Sequence, residues 1–111
     1  MLIVTTNELA GAEILESLGE VFGVTVRSRS AAAQLGAGLR SLVGGELRAL
    51  TRALEDSRIE ALDRLATAAA EQGADAVVGM RFDTCELGGV WTEVCAYGTA
   101  VRTVPSPPGA R

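Results

Sequence analysis

The segment "RFDTCELGGVWTEVC", residues 81–95, gathers the side chains best suited to holding a soft ion. With a hairpin turn near Gly88, Asp83 faces Glu93 across an antiparallel ladder, and Cys85 lies on the same face two residues along. Two carboxylates and a thiolate are donors for a soft or borderline divalent metal. The same residues equally describe a solvated strand face on which Arg81 offsets the acids, and a one-residue slip in register would separate the three. This register leaves Cys85 and Cys95 four residues out of alignment. That gap is about 13 Å at the usual strand rise, too long for a disulfide within the chain.

A second feature is Gly44-Gly45 in "LRSLVGGELRAL", residues 39–50. A phosphate loop needs its glycines between a strand and a helix, followed by lysine and a hydroxyl. Here the glycines follow a helical pattern, precede Glu46, and belong to a chain without lysine. They read as a corner between helices, with Gly44 as the stop. Arg27, Arg29 and Arg40 are either an anion pocket or ion-pair partners for nearby acids. Trp91 and Tyr97 share strand parity and suit packing on a core or on a neighbouring subunit.

Histidine is absent from the chain, which excludes Ser-His-Asp and Cys-His catalysis and histidine-ligated metals. Nothing in the spacing of Glu16, Glu20, Asp75, Asp83, Glu86 and Glu93 selects a pair for acid-base work. The expectation is a protein that is not an enzyme. Ten basic against fourteen acidic residues, a net charge of −4, argue against nucleic acid or an anionic membrane surface as partner.

The elements that would position these residues follow from periodicity. "LIVTT" (2–6) reads as a short strand, and "ILESLGEVFGVTVRSR" (14–29) as a long one, with Ile14, Leu18, Phe22, Val24 and Val26 on one face and a bend or bulge at Gly19 or Gly23. Residues 31–43 follow helical spacing through Leu35, Leu39, Leu42 and Val43, capped by Ser28 or Ser30. A longer helix runs from Glu46 to about Gln72, with Leu47, Leu50, Leu54, Ala61, Leu62, Leu65 and Ala69 on its apolar face. Glu60 and Arg64 form a favourably oriented pair on it, and Gly73 suits the left-handed residue that ends it. Two strands joined at "LGG" complete the chain, and "PSPPGAR" (105–111) reads as a disordered proline-rich tail. The expected fold is α+β: a mainly antiparallel sheet with two helices in the order β-β-α-α-β-β, as a single domain over 1–104.

The chain has 111 residues, of which 48% are hydrophobic, yet only four are aromatic. So small a domain has little interior for that much apolar surface, so part of it should be buried between subunits. Two cysteines are too few for a disulfide framework. No apolar run approaches the roughly 18 residues of a membrane span, and the start "MLIVTTNELAG" lacks the pattern of a signal peptide. A cytoplasmic location is expected.

Three stretches, "AGLRSLVGGEL" (37–47), "SRIEALDRLATAAAEQGADAVVGMRFD" (57–83) and "GTAV" (98–101), taken in that order, resemble the bacterial YbjQ family, whose members are described as heavy-metal-binding domains of uncharacterised function. The resemblance spans residues 2–104. It implies a dodecin-like α+β subunit assembled into a ring-shaped homopentamer, an architectural role for the glycines at 44, 45, 73, 79 and 98, and no catalytic residue. The family's strand before "GTAV" is richer in methionine and other apolar residues, whereas this chain has Trp91 and Glu93. No binding role is carried onto that strand. The expectation is a homo-oligomeric, pentameric binding or scaffold protein without catalytic activity. The alternative is a protein that binds a divalent heavy metal, with Asp83, Cys85 and Glu93 as ligands.

Overall fold

A computed structural model describes residues 1–28, 48–88 and 91–107, excepting the side chains at 28, 48–50 and 87. Strands β1 (Leu2–Ile3), β2 (Ala12–Ser28), β3 (Ala76–Leu87) and β4 (Trp91–Pro105) form one sheet in the order β1-β3-β4-β2. Helix α1 (Arg48–Glu71) precedes β3. The sheet is mixed rather than purely antiparallel, because β1 runs parallel to β3 while β4 is antiparallel to both of its neighbours. One helix is present among the described residues; the helix expected at 31–43, the Gly44-Gly45 corner, Arg29 and Arg40 lie outside them.

α1 covers one face of the sheet along a stripe of Ser57, Ala61, Leu65 and Ala69, all buried. Such i, i+4 spacing puts one residue per turn on the same side. Below it lie Val21, Gly23 and Thr25 of β2, Val94, Ala96, Gly98 and Ala100 of β4, and Val77 and Met80 of β3. Small residues in this layer bring the helix axis close. A Cβ on Gly23 would meet the backbone of Ala61, Arg64 and Leu65. Full burial of Leu65, Val77 and Val101 stabilises the domain by about 1.5–3 kcal/mol for each side chain.

α1 ends where Gly73 adopts a φ of 82°. Gly73 N–H donates to Ala70 O at 3.0 Å and Ala74 N–H to Ala69 O at 3.1 Å, the paired bonds of a Schellman motif. Leu54, expected on the buried stripe, is 53% exposed, because the first turns of α1 carry that stripe past the packed layer. Asp75 ties the start of β3 to the end of β4. Its carboxylate accepts the Thr103 N–H at 3.1 Å and the Thr103 hydroxyl at 2.9 Å.

On the opposite face a smaller core forms from Leu9, Ala76, Val78 and Val101, with Val4 and Ala12 packed against it. The segment between β1 and β2 thus folds over one end of that face. Val4, Thr6 and Gly79 continue the β1 contact beyond the strand, with Gly79 N–H donating to Thr6 O at 2.8 Å. β4 includes Pro105, and Ser106 N–H donates to Gly11 O at 2.9 Å. Residues 108–111 of the expected proline-rich tail lie outside the described residues.

Candidate functional site

β3 contains one residue more than β4 between the pairs Val78–Thr99 and Arg81–Tyr97. The extra residue is accommodated at Gly79, whose φ of 63° suits glycine, and Gly98 lies opposite. A Cβ on Gly98 would come within 2.7 Å of Val77 Cγ1 and 3.0 Å of Val78 O. The bulge exchanges the faces of β3: Val77 before it and Met80 and Phe82 after it join the helix-side core. Arg81, Asp83 and Cys85 are thereby directed to the other side, which α1 leaves open.

On this open face the side chains form rows across β3, β4 and β2. Arg81, Tyr97 and Phe22 make one row, Asp83, Cys95 and Val24 the next, and Cys85, Glu93 and Val26 a third. Trp91 follows on β4. Phe22 is 58% exposed, Val26 50%, Trp91 47% and Tyr97 38%, so the three aromatic residues of this face lie at the surface rather than in a core. The expected grouping of β2 is corrected accordingly. Phe22, Val24 and Val26 do share a face, but Val21, Gly23 and Thr25 are the buried set. Leu18 packs on the helix-side core and Ile14 is exposed, because register breaks at Ile14/Glu16 and Ser17/Gly19 interrupt the alternation. Gly19 carries the expected distortion, with a φ of 111°, whereas Gly23 marks the helix contact.

The hairpin register also differs from the expected one. Asp83 pairs with Cys95, not Glu93, and Cys85 pairs with Glu93, because the turn centres one residue later. Moving the centre by one residue shifts pairing by two and preserves parity, so Asp83, Cys85 and Glu93 still share a face. Cys95 joins them. The cysteines are two residues out of register rather than four, diagonal neighbours at about 7–8 Å.

Both thiols are free, Cys85 exposed and Cys95 half-buried. Burial pushes the Cys95 thiol up, and the negative charges of Glu93, Asp83 and Glu20 push it further. A thiol held protonated is a poor metal ligand and a poor nucleophile. Among the described residues no three Cys, Asp or Glu side chains come together to hold a metal ion. The proposed ligands Asp83, Cys85 and Glu93 thus share a face without forming a coordination site.

The arginines have structural partners. Arg27 and Arg64 both bind Glu60, at 2.8 and 2.6 Å, and Arg64 also donates to the carbonyl of Val24. β2 is an outer strand of the sheet among the described residues, and Arg64 lies against its outer edge. Arg81 Nη1 donates to Thr5 O at 2.9 Å and to Met80 O at 2.8 Å, fastening the N-terminal segment to the bulge. Arg58 stacks on Phe82, 5.0 Å from the ring centroid.

A family model named YbjQ_1, with the description "putative heavy-metal-binding", matches residues 1–104. The chain belongs to the YbjQ family. An uncharacterised relative from Acidothermus cellulolyticus, named UPF0145 protein, is 60% identical over 92% of this chain and 94% of its own length. Another from Thermoplasma volcanium is 46% identical over 91% of this chain and 83% of its own. Such archaeal relatives take YbjQ sequences beyond the bacteria. A solved structure from Pediococcus pentosaceus, titled a protein with unknown function of the DUF74 family, superposes with a TM-score of 0.61. It covers 94% of this chain and 98% of its own at 19% identity, which supports the fold alone. No helix of the described residues is long and apolar enough to cross a membrane.

Proposed function

We propose that this YbjQ-family chain is a cytoplasmic, homo-oligomeric binding or scaffold protein, pentameric in the manner its sequence resemblance implies, with no catalysis of its own. Exposed apolar side chains support this reading: Leu15, Phe22, Leu54 and Ile59 are each more than half exposed, and apolar surface that a small domain leaves uncovered is the kind a partner covers.

The non-catalytic reading is supported by the lack of histidine, by the Cys95 thiol being pushed up, and by the engagement of Asp75 with Thr103. Native mass spectrometry of protein purified without chelator tests both parts. A pentamer without added mass is the expected spectrum. A monomer at tens of micromolar removes the proposal, and a retained metal would redirect attention to the thiols.

A further inference from the structure

We infer that the open face of the sheet binds the segment "PPGAR", residues 107–111, of a neighbouring copy, with its prolines on Phe22 and Tyr97 and its arginine between Asp83 and Glu93. The inference rests on the self-association proposed above and names one contact that builds it.

The face suits a ligand that is apolar at one end and cationic at the other. Phe22 and Tyr97 lie opposite each other, and both are exposed. Glu20, Asp83 and Glu93 share that side and are close enough to Cys95 to push its thiol up. Arg81 is held against the carbonyls of Thr5 and Met80, while Glu20 and Glu93 have no hydrogen-bond or ion-pair partner among the described residues. Proline-rich segments suit exposed rings, because their extended helix is preformed and little freedom is lost on docking. A guanidinium suits the carboxylates. Residues 107–111 combine the two, and Pro107 is exposed just beyond the end of β4.

The spacings agree. In the polyproline form each residue rises 3.1 Å, so Arg111 lies about 9–12 Å beyond the two prolines. On the sheet Asp83 is one row from Tyr97 and Glu93 two rows, about 7 and 13 Å at strand rise. With the prolines on the Phe22–Tyr97 pair, the guanidinium falls between the two carboxylates.

A chain's own tail cannot make this contact. Pro107 is two residues past Pro105, a reach of about 7 Å, whereas Tyr97 lies eight residues back along β4, about 27 Å away. The tail leaves one end of the sheet and the rings lie nearer its middle, so the contact joins two different surfaces. Contacts of that kind can close a ring, as a two-fold contact between identical faces cannot.

The probe is the synthetic peptide PSPPGAR, added to the isotope-labelled full chain carrying Pro107→Ala, Pro108→Ala and Arg111→Glu, whose own tail no longer competes. Backbone amide signals of Phe22, Glu93, Cys95 and Tyr97 should shift saturably, with a dissociation constant below about 1 mM. Peptides carrying Pro107→Ala and Pro108→Ala, or Arg111→Glu, should bind about ten times more weakly. Phe22→Ala in the protein, at an exposed position, should abolish the shifts while leaving circular dichroism unchanged. Absence of shifts at these amides, equal binding by either altered peptide, or binding indifferent to Phe22→Ala overturns the inference. In wild type the same amides should already hold their bound positions at concentrations where native mass spectrometry shows assembly. An assembled wild type whose face matches that of the tail variant overturns the tail as occupant and leaves self-association standing. A monomeric wild type overturns both.

Discussion

Gly23 and Leu65 meet through their backbones: a Cβ on Gly23 would overlap the Leu65 amide nitrogen. The obstacle is main chain, which cannot rotate away as a side chain can. Gly23→Ala must therefore lift α1 from the sheet or distort β2. The expected cost is about 3 kcal/mol, at the upper end of overpacking changes. Urea unfolding of Gly23→Ala should show a lower midpoint; an unchanged midpoint would place the helix elsewhere.

Two residues along β2, Thr25 is 2% exposed and its hydroxyl has no hydrogen-bond partner. Burying an unpaired hydroxyl costs free energy that an apolar group of similar shape does not. Thr25→Val is expected to raise stability by about 1 kcal/mol. A lower melting temperature for the valine variant would mean that the hydroxyl is satisfied in solution.

Asp75 links acidity to stability. Hydrogen bonds from Thr103, the backbone amide foremost, hold its carboxyl below the usual range, with Arg102 adding a smaller pull against some desolvation. A carboxylate with a folded pKa below its unfolded value contributes stability above the unfolded value of about 4 and loses it as pH falls toward the folded one. Asp75→Asn should therefore melt lower than wild type at pH 7, and the gap should close below about pH 4. A gap independent of pH would show that the geometry of the link matters and its charge does not.

The thiols should differ in reactivity. Cys85 is exposed, while the half-buried Cys95 is held protonated by burial and by Glu93, Asp83 and Glu20. With a disulfide reagent at pH 7, Cys85 should react about ten times faster, since rate follows thiolate fraction and access. Cadmium titration should give no thiolate charge-transfer band at micromolar metal. Such a band, lost in Cys85→Ala, would reinstate Asp83, Cys85 and Glu93 as ligands.

The long helix, its Gly73 stop, the Glu60–Arg64 pair and the closing hairpin were legible because each has a local signature in spacing or residue type. Pairing was harder. A turn centred on Gly88 and one centred a residue later have the same glycine-rich sequence, so only packing chooses between them. The face of β2 misled for a different reason: Phe22, Val24 and Val26 outweigh Val21, Gly23 and Thr25 in apolar bulk, yet only the smaller set lets α1 approach. Parity in β3 was recoverable in principle, because a glycine inside a strand, as at Gly79, is the usual mark of a bulge. The sharing of one face by Asp83, Cys85 and Glu93 was legible, while the membership of Cys95 depended on the pairing.

The Gly79 bulge lets β3 vary in length at one position without changing what each side of the sheet presents. Val78 opposite Thr99 and Arg81 opposite Tyr97 lie on the same side although three positions separate them. Loss of the Gly79 codon would therefore leave Phe82 and Arg81 on their present sides. The same loss at Thr84, beyond the bulge, would turn Cys85 toward the helix. An in-frame deletion in this strand is thus silent for surface chemistry at one codon and disruptive at its neighbours.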